Sequence, residues 1–214
     1  MQQRNILTVL AVLCVLALSS LTGCAPTPIA PQPRPMGNIA VAAFTAPKHN
    51  WELLAGYLPE EGKGVKPEVL AKLDDSLGQT LRAHGVKVAS SIAATRQCQE
   101  IVVFERAGKS RESAFAYWLG VGRCLPADFI LVPQVLSWRE LEGGGNPASV
   151  VLDLYLLDVK AQRVVSRYHF DETQKALSDN LLDMGKFMRR KGEWVEAEVL
   201  AKEGIEAGLR EMGL

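Results

Sequence analysis

The side chains best equipped for chemistry in this chain are its cysteines, its histidines and a few paired charges. Cys14 and Cys24 lie near the start, while Cys98 and Cys124 lie in the middle. His49, His84 and His169 are far apart and share no ligand spacing with one another or with the later cysteines. Zinc sites draw on closely spaced Cys and His pairs, so no metal site is expected. Asp74-Asp75 and Glu60-Glu61 offer adjacent carboxylates of the kind acid/base chemistry uses. On a helix and a loop such pairs read more simply as solvated charges. There is no Gly-x-Ser-x-Gly elbow, no His-Glu-x-x-His and no phosphate-cradling loop. Gly120-Val121-Gly122 follows a helical segment rather than a strand and lacks the third glycine of a dinucleotide site, so it reads as a helix terminator. The expectation is a protein without catalytic residues and without a cofactor.

Two other groups of side chains suit contact rather than catalysis. Trp51, Tyr57 and Trp138 form a candidate partner surface, unless they staple loops to the core. Lys186, Arg189, Arg190 and Lys191 form the one basic cluster. It is a candidate contact for lipid phosphates or another anion. The plainer reading is a solvated helix end whose cations suit the C-terminal dipole.

Cys24 has the most specific surroundings. Met1-Gln2-Gln3-Arg4 supplies one positive charge, and an apolar run from Ile6 to Leu18 follows, broken only by Thr8. A basic start, a short apolar core and small residues before a cut are the parts of a secretory signal. The run is short of the roughly 20 residues that span a bilayer. Leu21-Thr22-Gly23-Cys24 resembles the lipobox of bacterial lipoproteins. That resemblance implies cleavage before Cys24, acylation of its thiol and a membrane-anchored N-terminus. Several acyl chains would then hold the protein, each buried methylene contributing about 0.8 kcal/mol. Ala25, rather than Asp, follows the cysteine and leans toward the outer membrane, periplasmic face.

With Cys14 removed and Cys24 lipidated, Cys98 and Cys124 remain. In an oxidising periplasm they suggest a disulfide, two buried thiols being the alternative. Its loop of about 26 residues would contribute roughly 3 kcal/mol. The 24 basic and 24 acidic residues balance, which together with export argues against nucleic acid as a partner.

Residues 25–37 hold five prolines and read as a tether. At about 3.1 Å per residue it reaches up to roughly 40 Å. The domain is expected from Asn38 to Leu214. Residues 39–44 are a continuous apolar run, read as a buried strand. A long surface loop follows at 45–66. Pro67 opens a helix bearing Leu70, Leu73, Leu77 and Leu81, and Gly85 closes it. A short strand is expected at 86–89. Ser91 and Ser110 are candidate caps for two further helices, the second carrying Phe115, Trp118 and Leu119. Residues 128–138 read as a strand in which Pro133 marks an edge or a bulge. Residues 150–159 and 164–170 read as a hairpin, with Val164, Ser166, Tyr168 and Phe170 on one face and Val165, Arg167 and His169 on the other. Helices are expected at 181–190 and 194–212, the last with Ala197, Ala201, Gly204 and Gly208 in a stripe.

The opening Ile39-Ala-Val-Ala-Ala-Phe44, the later Ala127-Asp128-Phe129-Ile130-Leu131-Val132, and the hairpin Leu152-Asp-Leu-Tyr-Leu-Leu-Asp-Val159 with Arg163-Val164-Val165 form a pattern. It resembles the α/β domain shared by the curli-secretion channel lipoprotein, the penicillin-binding-protein activator lipoproteins and the N-terminal domain of the Tol-system β-propeller protein. The likeness covers about residues 38–172. The chain departs from it at Pro133, where those proteins have Gly, and at Ala161-Gln162, where they have Thr-Gly. The resemblance implies a binding or assembly protein and passes on no catalytic residue.

The expectation is therefore one α/β (α+β) domain, residues 38–214, with a single mixed, mainly antiparallel sheet packed by helices and ending in C-terminal helices. A signal at 1–23 and a tether at 24–37 precede it. Its expected role is a non-enzymatic adaptor or regulator on the membrane that binds an envelope protein partner. A self-assembling or secretion-channel subunit is the alternative, and an envelope enzyme stands behind both.

Overall fold

The computed structural model describes residues 33–59, 64–102, 109–125, 127–141, 147–174 and 195–214. The strands are β1 (Ile39–Val41), β2 (Val88–Ser90), β3 (Phe129–Arg139), β4 (Ser149–Asp158) and β5 (Arg163–Thr173). The helices are α1 (Pro67–Ala83), α2 (Ile92–Ile101), α3 (Arg111–Cys124) and α4 (Ala197–Glu211). A 3-10 turn, Asn50–Glu52, lies in the loop after β1.

Local chemistry accounts for the helix ends. Pro67 takes the first position of α1, where its missing N–H costs nothing. Gly85, at φ +65°, turns the chain out of α1 in a conformation that resists other side chains. Ser91 Oγ accepts from the Ala94 N–H at 3.2 Å, and Ser110 Oγ from the Ser113 N–H at 3.3 Å, so both serines cap as their positions predict.

The sheet runs β2-β1-β3-β4-β5. The short joins of β1 to β2 and β3 are parallel, and the long joins β3–β4 and β4–β5 are antiparallel. The sheet is thus mixed, with most of its paired length antiparallel. One face carries Leu131, Leu152, Leu154 and Leu156 into a core with α1 and α4. The other carries Ile130, Val132, Tyr155 and Leu157 into a core with Trp118 and Val121 of α3 and Cys98 of α2. Cys98 and Cys124 are bonded, with Cα atoms 6.0 Å apart, which ties α2 to the end of α3.

Three details depart from the sequence reading. β1 ends at Val41, three residues earlier than the apolar run, because the chain bulges there. Val41 pairs with Leu131, but the next bridge joins Thr45 to Gln134, one residue out of step. The Pro133 carbonyl accepts from Thr45 N–H, and Val135 N–H donates to the Thr45 carbonyl. Pro133, with no N–H of its own, faces the slack in the neighbouring chain. It therefore marks a bulge but not an edge, since β3 is the central strand.

The second departure is in β5. Leu156 pairs with Ser166 and Leu157 with Val164, so Val165 is an extra residue. The bulge exchanges sides: Val165 packs with Tyr168 and Phe170 on the α1/α4 core, while Val164 leaves that face. The expected face of Val164, Ser166, Tyr168 and Phe170 is corrected accordingly.

The third concerns Asp74, which is not solvated but 6% exposed. Its Oδ1 accepts from the Phe44 N–H at 2.7 Å, while Gln99 Oε1 accepts from the Ala43 N–H at 3.0 Å. These two side chains satisfy the backbone that the β1 bulge releases. Arg96 pairs with the other Asp74 oxygen. Burial raises the Asp74 pKa, against the Phe44 N–H and Arg96, which pull it down.

In α4, Ala197, Ala201, Gly204 and Gly208 all face inward. A Cβ at Gly208 would lie 2.5 Å from Tyr168, and one at Gly204 2.8 Å from Phe170, so the stripe is what lets α4 lie against the hairpin. The chain before Asn38 also touches the domain: Arg34 donates to the His84 carbonyl at 3.0 Å and the Gly213 carbonyl at 3.4 Å. The end of the expected tether is thus fixed near the close of α1 and of α4.

Candidate functional site

The sheet face toward α3 carries a line of polar residues across its apolar strands. Gln134 interrupts the apolar run of β3 and Asp153 that of β4. Thr45 pairs with Gln134, Gln134 with Asp153, and Asp153 with His169. The four residues make a polar row across the sheet. Gln134 is 2% exposed and Asp153 wholly buried. Buried polar groups of this kind persist only where they are hydrogen-bonded or used.

The Asp153 half of the row is fully engaged. Its Oδ2 accepts from the Tyr155 hydroxyl at 2.7 Å and from Arg167 at 3.0 Å, and its Oδ1 meets His169 Nδ1 at 2.8 Å. Arg167 also lies over the Tyr155 ring, 5.6 Å from its centroid. Burial works against the Arg167 charge, but the hydrogen bond and negative charge of Asp153 outweigh it and raise the pKa. Burial, followed by the Asp153 hydrogen bond and charge, pushes the Tyr155 hydroxyl well above the usual phenol range. The Asp153 carboxylate thereby fastens edge strand β5 to β4 through two of its side chains.

The loop after β1 roofs this network. The Tyr155 hydroxyl reaches the Ala55 carbonyl at 3.4 Å. Gly56, at φ +73°, passes so near Arg167 that a Cβ there would lie 3.1 Å from the guanidinium. Arg111, at the start of α3, donates to the Gly56 carbonyl and stands 5.2 Å over the Tyr57 ring. Leu53 and Leu58 of the loop pack with Leu136 and Val151.

The Gln134 half is different. Its Nε2 donates to the Glu52 carbonyl at 3.2 Å, which fixes the amide orientation. Gln134 Oε1 and Thr45 Oγ1 are buried with no partner among the described residues. Both residues line a cavity of about 300 Å³ with Ala46, Pro47, Glu52, Ala114, Tyr117 and Trp118. Burial pushes the Tyr117 hydroxyl up to about 12, and it donates to the Gln99 carbonyl at 2.9 Å.

The residues expected to form an aromatic surface do not come together. Tyr57 is 77% exposed, and Trp51 is half-buried, its ring stacked on His49 with centroids 5.4 Å apart. Trp138 is buried in the α1/α4 core on the opposite face, donating to Glu140 at 2.6 Å, so it is corrected from partner surface to core. Cys24, the basic residues Lys186, Arg189, Arg190 and Lys191, the Glu60-Glu61 pair, the 181–190 helix and Trp194 lie outside the described residues. Sequence reasoning missed Gln134, Asp153 and Arg167. The available signal was Gln134 within the apolar run of β3 and Asp153 within that of β4.

No known family profile matches the chain. No curated protein matches it in sequence. Among solved structures it is similar to the PelC dodecamer from Paraburkholderia phytofirmans, at 17% identity and TM-score 0.45, over 86% of this chain and 92% of that one. It is similar to lipoprotein GNA1162 from Neisseria meningitidis, at 12% identity and TM-score 0.39, over 72% and 92%. It is also similar to the LpoB C-terminal domain from Salmonella enterica, at 12% identity and TM-score 0.37, over 64% and 84%. No residue role passes to this chain from likenesses of this degree.

Proposed function

We propose that this is a lipid-anchored protein of the bacterial envelope, held through Cys24, that acts without catalysis as an adaptor or regulator of other envelope proteins. The observation that carries the reading is Leu21-Thr22-Gly23-Cys24 at the end of a short apolar run, followed by a proline-rich tether. The Cys98–Cys124 bond fits an oxidising compartment, as the periplasm is. Ala25 favours the outer membrane, and the partner belongs to cell-wall synthesis or to a secretion assembly.

A self-assembling subunit is the second reading. It is favoured by β5, an eleven-residue strand at the edge of the sheet. An edge strand offers a row of backbone donors and acceptors to another chain. In-cell crosslinking and affinity purification of the full-length protein, with a Cys24→Ala control, separates the two. Anchor-dependent recovery of a cell-wall synthase or a secretion component supports the adaptor. Recovery of the chain alone, as a regular ladder, favours self-assembly and sinks the adaptor.

A further inference from the structure

The cavity beside Gln134 is built unlike the rest of the core. Its wall combines two aromatic side chains, Tyr117 and Trp118, with Ala46, Pro47 and Ala114, and its polar groups are Thr45, Glu52 and Gln134. Among the described residues, no lysine or arginine lines it. Gln134 Oε1 can only accept a hydrogen bond, and its amide nitrogen is already engaged with the Glu52 carbonyl. Thr45 Oγ1 can accept as well. Each has no partner among the described residues. An unpaired buried acceptor costs about 1–3 kcal/mol, and replacing it by an apolar group of the same shape would remove that cost. The cavity therefore carries two unsatisfied acceptors and aromatic walls, with the acidic residue Glu52 in its lining, which together favour a donor with positive charge.

We propose that this cavity is a binding site for an organic cation, a primary ammonium or a guanidinium on a short alkyl stem. The stem lies against Pro47, Ala114 and Trp118. The head donates to Gln134 Oε1 and Thr45 Oγ1 and is held by the Glu52 carboxylate. Thr45 and Gln134 both line the cavity, and neither acceptor has a competing partner among the described residues. Glu52 keeps its place meanwhile, because its Oε2 accepts from the Lys48 N–H at 2.6 Å. The site is independent of the anchor: it stands whether or not Cys24 carries lipid. A cation of this class reaches it either as a free small amine or as a lysine or arginine side chain of a partner.

The test is a titration of the full-length protein in detergent with n-butylammonium and n-butylguanidinium, with n-butanol as the neutral control, followed by backbone NMR. The expected result is saturable shifts at Thr45, Gln134 and Trp118 with the cations and a response to butanol weaker by about tenfold, as loss of a charge-assisted hydrogen bond requires. Gln134→Met should weaken cation binding by a similar factor, and its melting temperature checks that the fold survives loss of the hydrogen bond to the Glu52 carbonyl. Glu52→Gln keeps a capping oxygen and should erase the preference for cations over butanol. A lysine-bearing peptide that shifts the same residues more strongly than butylammonium points to a partner side chain, and a weaker peptide response points to a free amine. Absence of saturable shifts would overturn the proposal, as would an equal response to butanol or full binding in Gln134→Met. A crystal structure at saturating butylammonium showing only a water on Gln134 Oε1 would also overturn it.

Discussion

Gln134 stands directly opposite Asp153 where β3 pairs with β4, so two buried polar side chains meet within the sheet. One is saturated by Tyr155, Arg167 and His169, and the other has an oxygen without a partner among the described residues. The first fixes the edge of the sheet, and the second faces the cavity.

Removing Arg167 takes from a wholly buried carboxylate the guanidinium that meets both of its oxygens. Arg167→Met should destabilise the domain by about 3 kcal/mol, whereas the pair Asp153→Leu with Arg167→Met should lose less than the sum of the single changes. Urea unfolding of the four proteins measures the coupling, expected at about 1–3 kcal/mol. Additive losses would show that the pairing carries no stability.

The contact of α4 with the hairpin leaves no room for one methyl group. Gly208→Ala places a Cβ 2.5 Å from Tyr168 and 2.7 Å from Leu154. The helix must shift, at a cost of about 1–3 kcal/mol despite the better helix propensity of alanine. A higher melting temperature for Gly208→Ala would contradict the packing described.

Much of this was legible beforehand, and for identifiable reasons. Pro67, Gly85, Ser91 and Ser110 act through their immediate neighbours, so their sequence positions predict the helix ends they form. The small-residue stripe of α4 was readable because it repeats at helical spacing. The bulges at β1 and at Val165 were not, because each depends on where a neighbouring strand loses step. Asp74 read as solvated because its true partners, the Phe44 N–H and Arg96, are distant in sequence. The polar row was hidden for the same reason: Thr45, Gln134, Asp153 and His169 lie on separate segments and meet only through strand pairing.

Asp74 gives a pH dependence of known sign. Its folded-state pKa is raised, so the folded protein binds the proton more tightly than the unfolded chain does. The stability it contributes is present below the ordinary carboxylate range and is lost as pH rises through the raised value. Asparagine keeps an acceptor for the Phe44 N–H but does not titrate. The stability difference between wild type and Asp74→Asn should therefore move in favour of the variant as pH rises from below that range to neutrality. A difference that moves the other way would contradict burial as the dominant cause.

The disulfide ties α2 to α3 across a separation of 26 residues. Replacing Cys98 and Cys124 by alanine should cost about 3 kcal/mol by the loop-entropy estimate. A reducing agent should lower the wild-type midpoint toward that of the variant and leave the variant unmoved. Equal midpoints with and without reductant would remove the bond from the account.

Everything proposed about compartment and role rests on Cys24. The most direct measurement is the intact mass and N-terminal sequence of the protein recovered from bacterial membranes. The predicted result is a chain that begins at Cys24 and carries two or three acyl groups on it, with Cys24→Ala left uncleaved and without lipid. A chain beginning elsewhere, or a Cys24 without lipid in the membrane fraction, would contradict the anchored-adaptor account.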